Sequence, residues 1–164
     1  YEGLKQTILR LNIENSEDYK LSLANTRARI RMSTLYLISG GLKGMVVGTG
    51  NKVEDFGVGF FTKYGDGGVD ISPIGDLMKS EVWSLGQQLG IIEDILNAQP
   101  TDGLWDDGRT DEDQLGISYN ELEWAMEYED DDMLDNKQKN ILKIYHKHRS
   151  KNLHKMKKIP VFKK

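Results

Sequence analysis

The chain has 164 residues, no cysteine and a net charge of −4, with 38% hydrophobic and 29% charged side chains. This length suits one domain, the lack of cysteine excludes disulfides and thiolate metal sites, and no apolar run is long enough to cross a membrane. The charge is unevenly placed, since residues 1–136 carry −15 and residues 137–164 carry +11. The basic segment also holds all three histidines, a pattern typical of an anion-facing or interaction tail.

Apolar spacing predicts two helices in the first 40 residues. A short one lies within 1–11, and a longer amphipathic helix covers 21–38, where apolar residues recur three or four positions apart. The string SGG at 39–41 resembles the start of a pyrophosphate-binding SGGxDS loop, but it continues without the Asp and Ser of that loop. We interpret it as a helix terminator.

The next predicted element is a buried strand of a parallel sheet at Met45–Val47, a short β-branched run bounded by glycines. Helices follow at 76–89, with Asp76 as the N-cap and Gly90 as the C-terminal stop, and at 92–98. Residues 101–116 form a polar segment, which we expect to be a mobile active-site loop.

Ser118 and Glu121 have the spacing of a capping box and open a helix that reaches about residue 128. A basic helix is predicted at 136–149 and a terminal strand at 159–162. The order of helices and strands predicts an α/β domain.

The segment GTGNKVE, residues 48–54, directly follows the first predicted strand. In α/β sheets, ligands bind beyond the carboxyl ends of the strands. Thr49 could offer its hydroxyl to a nucleotide, and Glu54 is a hard oxygen ligand suited to Mg²⁺. A plain turn after the strand explains this string equally well.

The segment FFTKYGDGGVD, residues 60–70, combines Lys63, Asp66 and Asp70 with three glycines and aromatic side chains. The lysine can hold an anion, and the two carboxylates can accept hydrogen bonds from hydroxyl, amide or ammonium groups. We favour a ligand-clamping loop over an exposed hairpin, although GDGG is also a strong turn signal.

Two further positions could meet phosphate. Lys79 stands in the first turn of its predicted helix, where a cation opposes the helix dipole unless an anion binds there. Thr101 opens the polar loop, which could close over a substrate. A solvated lysine is the simpler interpretation of Lys79 alone.

Three arginines lie on the first long helix. Arg27 and Arg31 share a face because they are four residues apart, whereas Arg29 points elsewhere. For at least two of them, a solvated surface side chain is the simpler interpretation.

Six segments occur in a fixed order: NTRARIRM, VVGTGNKVE, GFFTKYGDGGVD, PIGDLMKSEV, PTDGLW with TDEDQLG, and HKMKKIPVF. Together they closely resemble the C-terminal two-thirds of the bacterial, ammonia-dependent NAD⁺ synthetase family of N-type ATP pyrophosphatases. The resemblance covers nearly the whole chain from residue 21. It implies a three-layer, adenine-nucleotide-hydrolase-like α/β domain with a parallel sheet. That domain would be incomplete at the N-terminus, since the SGGxDS loop would precede residue 1.

The resemblance also implies roles for residues by motif position. ATP would contact Thr49, Lys79 and Thr101. Glu54 would bind Mg²⁺. Deamido-NAD⁺ would contact Arg29, Lys63, Asp70, His154 and Lys155.

The family makes NAD⁺ from deamido-NAD⁺, ATP and ammonia in the presence of Mg²⁺. ATP adenylates the nicotinate carboxylate and releases pyrophosphate, and ammonia then displaces AMP. The resemblance further implies a cytoplasmic homodimer, and the helix at 21–38 is a candidate contributor to its interface. Charge and hydropathy argue against a nucleic-acid or membrane partner. Residues 1–164 would form the C-terminal part of one domain, and residues 137–164 its basic helix and tail.

Three alternatives remain open. A GMP synthetase-like ATP pyrophosphatase is the main alternative enzyme, and the segment at 59–70 argues against it. A catalytically inactive nucleotide-binding fragment is the non-enzymatic alternative, and without the SGGxDS loop we expect these 164 residues alone to be inactive. Nucleic-acid binding by the basic tail is disfavoured because the −15 charge of residues 1–136 repels a polyanion.

Overall fold

The computed structural model describes residues 1–9, 17–129 and 133–163. Within these ranges the regular structure is helical. The elements are α1 (Glu2–Leu9), α2 (Glu17–Gly41), a π-helical turn (Lys52–Val58), α3 (Lys79–Gln88), α4 (Glu93–Leu96), α5 (Asp111–Leu115), α6 (Tyr119–Glu127) and α7 (Asn136–Met156). No helix in the described part of the chain has both the length and the apolar composition needed to cross a membrane.

Contacts divide the chain into two compact units. Unit 1 comprises Tyr1–Gly48, Phe61–Pro73 and Asp102–Gly108. Unit 2 comprises Thr49–Phe60, Ile74–Thr101 and Arg109–Lys164.

In unit 1, the predicted long helix is confirmed as α2 and buries Ala24 and Ala28. The predicted terminator is also confirmed, because the N–H of Gly44 donates to the carbonyl of Ser39 at 2.7 Å and closes the last turn. The left-handed residue at this end is Lys43, with a φ of 54°, and not one of the glycines.

The predicted strand at 45–47 is reduced to one isolated parallel bridge between Val47 and Ile71. The N–H of Gly48 donates to the carbonyl of Ile71 at 2.7 Å, and that of Asp70 donates to Val46 at 2.9 Å. The pairing stops there because Pro73 has no N–H to continue a ladder. The described residues therefore do not confirm the parallel sheet of the expected three-layer domain.

In unit 2, one apolar core joins the π-helical turn to the helices that follow it in sequence. The turn contributes two fully buried valines, and α6 and α7 contribute the inward faces of their amphipathic patterns. The buried core residues are Val53, Val58, Leu115, Ile117, Tyr119, Leu122, Ala125, Ile141 and Tyr145.

The start of α3 differs from the prediction. The helix begins at Lys79, and the carboxylate of Glu81 accepts a hydrogen bond from the N–H of Met78 at 2.7 Å. Asp76 is not the N-cap, because residues 74–77 form a separate turn closed by the N–H of Leu77. Its carboxylate instead lies 3.1 Å from the ammonium of Lys52. The predicted stop at Gly90 is confirmed by its φ of 71°.

The predicted loop at 101–116 contains α5 in its second half, where Thr110 caps the helix and Asp113 returns the hydrogen bond. The capping box of Ser118 and Glu121 is confirmed at the start of α6. The basic helix α7 is about two turns longer than predicted, since it continues past residue 149 to Met156. The predicted strand at 159–162 is wrong, since these residues have no regular structure.

Candidate functional site

Glu54 lies in the π-helical turn, whose start is fixed by a buried asparagine. Asn51 is 2% exposed, and its Oδ1 accepts hydrogen bonds from the N–H groups of Val53 at 3.0 Å and Glu54 at 3.1 Å. The turn ends at Gly59, whose φ of 64° suits glycine and whose N–H donates to the carbonyl of Glu54. Contacts at both ends of the turn therefore fix the backbone at Glu54.

Lys79 opens α3 and forms an ion pair with Glu54. Its Nζ lies 2.8 Å from Oε1, and the two side chains are only 16% and 17% exposed. The ammonium also lies 4.7 Å from the ring centroid of Tyr119 and 5.9 Å from that of Trp83. A cation in the first turn of a helix opposes the helix dipole. The carboxylate and the two aromatic rings offset that cost.

Tyr119, the first residue of α6, joins this pair to a second carboxylate. Its hydroxyl lies 2.7 Å from Oε1 of Glu54 and 3.2 Å from Oδ2 of Asp111. Burial, followed by the negative charge of Glu54, raises the pKa of Tyr119 well above that of an ordinary phenol, so the hydroxyl stays protonated and donates. We call Glu54, Lys79, Asp111 and Tyr119 the Glu54 cluster.

Helix α7 holds the carbonyl groups at the end of the π-helical turn. The guanidinium of Arg149 donates to the carbonyls of Phe56 and Gly57, the latter at 2.9 Å. One turn further, Nδ2 of Asn152 donates to the carbonyl of Val58 at 2.9 Å. These contacts satisfy carbonyls that the turn itself leaves open.

The two predicted residues of the tail lie on the same helix. Nζ of Lys155 donates to the carbonyl of Gly59 at 2.9 Å, so this lysine continues the row of contacts to the π-helical turn. His154 is exposed. Lys155 thus contacts Gly59, the residue that ends the π-helical turn on which Glu54 lies.

In unit 1, Asp70 is held by two donors. Its Oδ2 accepts a hydrogen bond from the N–H of Val46 at 2.8 Å, and its Oδ1 accepts one from the hydroxyl of Tyr36 at 3.1 Å. Loss of solvent around the phenol, and then the Asp70 carboxylate, raises the pKa of Tyr36. Nε of Arg29 donates to the carbonyl of Lys63 at 3.3 Å. Arg29 and Lys63 are therefore adjacent, and Asp70 is tied to the same helix through Tyr36.

The interpretation of at least two of the three arginines as surface side chains is confirmed, because Arg29 and Arg31 are exposed, whereas Arg27 is half-buried. Arg27 donates to the carbonyl of Leu104 at 2.6 Å and lies 3.4 Å from the carboxylate of Asp106. Arg31 donates to the carbonyls of residues 102 and 103 at 3.4 and 3.1 Å. One face of α2 therefore binds the segment at 102–106.

An open groove of about 450 Å³ also lies on unit 1, between α1 and α2. It is mainly apolar, and Arg29 is the only charged residue among the described residues of its lining. Its lining residues are Leu4, Thr26, Arg29, Ile30, Ser33, Thr34 and Leu37.

Comparison with known proteins identifies the family. A family model described as NAD synthase matches residues 4–164. The chain belongs to the NAD synthase family. It is 46% identical over 112 residues to the NH₃-dependent NAD⁺ synthetase of Carboxydothermus hydrogenoformans and 51% identical over 106 residues to that of Methanosarcina acetivorans. These alignments cover 68% and 65% of this chain, but only 45% and 41% of the relatives.

Solved structures agree with the assignment to the NAD synthase family. The match to an NMN synthetase from Francisella tularensis covers 95% of this chain and 61% of that protein, with a TM-score of 0.79 and 31% identity. The match to an NH₃-dependent NAD synthetase from Campylobacter jejuni covers 99% of this chain and 63% of that protein, with a TM-score of 0.69 and 26% identity. The chain spans about half the length of the curated relatives it matches.

For this member of the NAD synthase family, Glu54 is the predicted ligand of Mg²⁺. The described residues contain no group of three or more acidic or histidine side chains arranged for a metal ion. A magnesium ion in a nucleotide site is usually held by one or two carboxylates, with phosphate and water oxygens as its other ligands. Lys79 and Tyr119 both contact Oε1 of Glu54. The other carboxylate oxygen, Oε2, would then be the one that binds the metal, and a single carboxylate of this kind fits the usual magnesium site.

The structure brings some predicted residues together and not others. Glu54 and Lys79, predicted to serve Mg²⁺ and ATP, form the ion pair described above. Thr49 is exposed, and the hydroxyl of Thr101 donates to the carbonyl of Arg109 at 3.2 Å. Sequence reasoning missed Tyr119. The sequence shows Tyr119 directly after the capping Ser118. A tyrosine at such a position usually packs into the core, so the sequence alone predicted no functional role for it.

Proposed function

We propose that this chain belongs to an enzyme that converts deamido-NAD⁺ to NAD⁺ with ATP and ammonia. Membership of the NAD synthase family over residues 4–164 supports the reaction class. The observation that carries the proposal is the protected ion pair of Glu54 and Lys79, two residues that the family motifs assign to the ATP side of the site. A lysine held this firmly at the start of a helix suits a polyphosphate.

The reaction has two steps. An oxygen of the nicotinate carboxylate attacks the α-phosphorus of ATP, a P–O bond forms, and pyrophosphate leaves. The nitrogen of ammonia then attacks the activated carbonyl carbon, the C–O bond to AMP breaks, and AMP leaves with the electron pair while the nitrogen loses a proton. Adenylation is needed because a free carboxylate is a poor acyl donor.

The residues of unit 2 would act on ATP. Lys79 would balance the charge of the departing pyrophosphate, and the hydroxyls of Thr49 and Thr101 would donate to the nucleotide. Glu54 would hold Mg²⁺. When bound, the metal neutralises phosphate charge and favours departure of pyrophosphate.

The remaining predicted residues would bind the dinucleotide. Arg29 and Lys63 offer positive charge to its phosphates, and Asp70 can accept hydrogen bonds from hydroxyl groups. Arg29 also lines the groove on unit 1, which supports a ligand there. The family motifs assign His154 and Lys155 of α7 to the same substrate.

The decisive experiment is an assay of the product of the complete reading frame with ATP, deamido-NAD⁺ and ammonia. We expect NAD⁺, AMP and pyrophosphate in equal amounts. Lys79→Ala and Thr101→Ala should each raise the KM for ATP, whereas Lys143→Ala, at an exposed position of α7, should not. Amidation of another acceptor without formation of NAD⁺ would refute the substrate assignment. Residues 1–164 alone are expected to be inactive.

A mononucleotide substrate is the second candidate. The match to the NMN synthetase of Francisella tularensis has the highest TM-score of the structures compared above. Replacing deamido-NAD⁺ by nicotinate mononucleotide in the same assay distinguishes the two, because the enzyme should show the larger kcat/KM with its own substrate.

We also propose a homodimer that uses α2. Apolar side chains near the end of this helix are exposed, with Leu35 at 53%, Leu37 at 77% and Ile38 at 52%. Large exposed apolar groups on one helix are typical of an interface. Analytical ultracentrifugation of the full-length protein should show a dimer, and Leu37→Glu should convert it to a monomer. A monomeric wild-type protein would exclude this interface.

A further inference from the structure

Tyr119 lies outside all six segments that carry the family resemblance, yet its hydroxyl is the centre of the Glu54 cluster. A phenol has one proton and can donate to one carboxylate at a time. The 2.7 Å distance directs that proton to Glu54, whereas 3.2 Å to Asp111 is long for a hydrogen bond between oxygens. The ammonium of Lys79, 2.8 Å from Oε1 of Glu54, supplies a positive charge beside the carboxylate that accepts this proton.

The ring of Tyr119 contacts the ammonium of Lys79, just as its hydroxyl contacts the carboxylate of Glu54. Lys79 lies over its face at 4.7 Å, and Trp83 packs against it edge to face at 6.1 Å and 80°. Cations are attracted to the face of an aromatic ring. The two parts of one side chain therefore contact both members of the Glu54–Lys79 pair.

Tyr119 is itself held from its own backbone. Its N–H donates to Oε1 of Glu112 at 2.8 Å, and the preceding Ser118 caps α6. The side chain is only 1% exposed, so it is shielded from a bound ligand. This burial is consistent with a residue that acts through its neighbours and not on the reacting atoms.

The hydroxyl also connects Glu54 to the polar segment that begins at Thr101. The N–H of Asp111 donates to the carbonyl of Pro100 at 2.9 Å, directly before that threonine. The contact of Tyr119 with Asp111 thus links the Glu54 cluster to the residue next to a second predicted ATP contact.

We propose that Tyr119 is a positioning residue of the nucleotide site, which holds Glu54, Lys79 and Asp111 in one arrangement before ATP binds. This assignment rests on the proposed function in that Glu54 and Lys79 serve ATP. It adds a residue to the site that the motifs do not indicate.

The test is Tyr119→Phe in the full-length protein, because phenylalanine keeps the ring under Lys79 and removes only the hydroxyl. We expect the KM for ATP to rise about tenfold, in line with the loss of a hydrogen bond to a charged group, while the KM for deamido-NAD⁺ stays within twofold. Asp111→Asn should raise the KM for ATP about threefold, since the hydroxyl still donates to Glu54. Tyr145→Phe, at another buried tyrosine of the same core, is the control and should change neither constant.

Hydrogen exchange without nucleotide provides a readout that does not depend on the reaction. Amides of 109–116 should exchange faster in Tyr119→Phe, while those of α7 stay as in the wild type. An unchanged KM for ATP in a variant that still forms NAD⁺ overturns the proposal. If the wild-type protein forms no NAD⁺, the proposed function fails, and exchange alone decides: faster exchange supports positioning by Tyr119, and equal exchange overturns it.

Discussion

The ammonium of Lys79 lies 2.8 Å from Oε1 of Glu54, and each side chain keeps about one sixth of its surface exposed. The two residues come from different elements, the π-helical turn and the first turn of α3. Water and salt screen such a protected pair less than an exposed one. Removal of one partner therefore leaves the other charge in a poorly solvated place.

We predict that Lys79→Met destabilises the full-length protein by roughly 1–3 kcal/mol, because the carboxylate of Glu54 loses its cation in a largely buried position. Combining it with Glu54→Gln should recover most of that loss, since no unpaired charge then remains. Unfolding in urea of the wild type, both single variants and the double variant measures the coupling between the two sites.

The exposed pair of Lys137 and Glu121 is the control for this cycle. Its lysine side chain is 76% exposed, so Lys137→Met should change the free energy of unfolding by less than about 1 kcal/mol. Purely additive effects of Lys79→Met and Glu54→Gln would show that the protected pair contributes no more than a surface pair.

A second prediction concerns the row of α7 side chains that donate to the π-helical turn. Asn152→Ala leaves the carbonyl of Val58, a fully buried residue, without its donor and should destabilise the protein by about 1–3 kcal/mol. Lys151→Ala, at the adjacent exposed position, should be within about 0.5 kcal/mol of the wild type. Thermal unfolding of both variants makes the comparison, and equal melting temperatures would show that this contact is dispensable.

A third prediction is a pH dependence from the capping box of α6. The hydrogen bond from Lys137, followed by that from the N–H of Ser118, lowers the pKa of Glu121 below its ordinary value of 4.5. Because the folded-state pKa lies below the unfolded one, the stabilisation is fully present above the unfolded pKa and is lost as the pH falls through the folded pKa. The difference in unfolding free energy between wild type and Glu121→Gln should therefore shrink as the pH falls below about 4.5.

Urea unfolding of both proteins from pH 7 to pH 3 measures this difference, and the subtraction removes the carboxylates that the two proteins share. A difference that stays constant over that range would mean that the charge of Glu121 does not contribute to the cap. A difference that grows on acidification would mean that the pKa is raised and not lowered.

Local signals were sufficient to predict several helix ends. The capping box at the start of α6 depends on Ser118 and a residue three positions later. The stop after α3 depends on the backbone angle of Gly90 alone. Both helix ends can therefore be predicted from residues that are close in sequence. The same reasoning failed at Asp76, which is a good capping residue by type. A turn closed by Leu77 lies between it and the helix, and its carboxylate pairs with Lys52.

The site was predictable only in part, for a different reason. Family motifs indicated Glu54 and Lys79 separately, but their direct contact depends on how the π-helical turn packs beside α3. Tyr119 lies 65 residues after Glu54, and no periodicity or motif spacing links a tyrosine to a carboxylate over that distance. The strand predicted at 45–47 also depends on a partner strand. Its partner here is the segment at Ile71, and the pairing ends before Pro73, two residues later.

The last prediction tests the close contact at the end of that bridged segment. A Cβ at Gly48 would lie 2.8 Å from Cγ2 of Val69 and 3.2 Å from the carbonyl oxygen of Ile71. Gly48→Ala should therefore destabilise the protein by about 1–3 kcal/mol, because the side chain of Val69 and the backbone at Ile71 must both shift.

The matched control is Gly40→Ala within α2, where a Cβ meets no atom within 4 Å. There alanine should stabilise the protein by roughly 0.5–1 kcal/mol, since it favours the helix more than glycine does. Urea unfolding of the two variants should shift the midpoint in opposite directions, and a Gly48→Ala protein as stable as Gly40→Ala would show that the segment at 46–48 is free to move away from Val69.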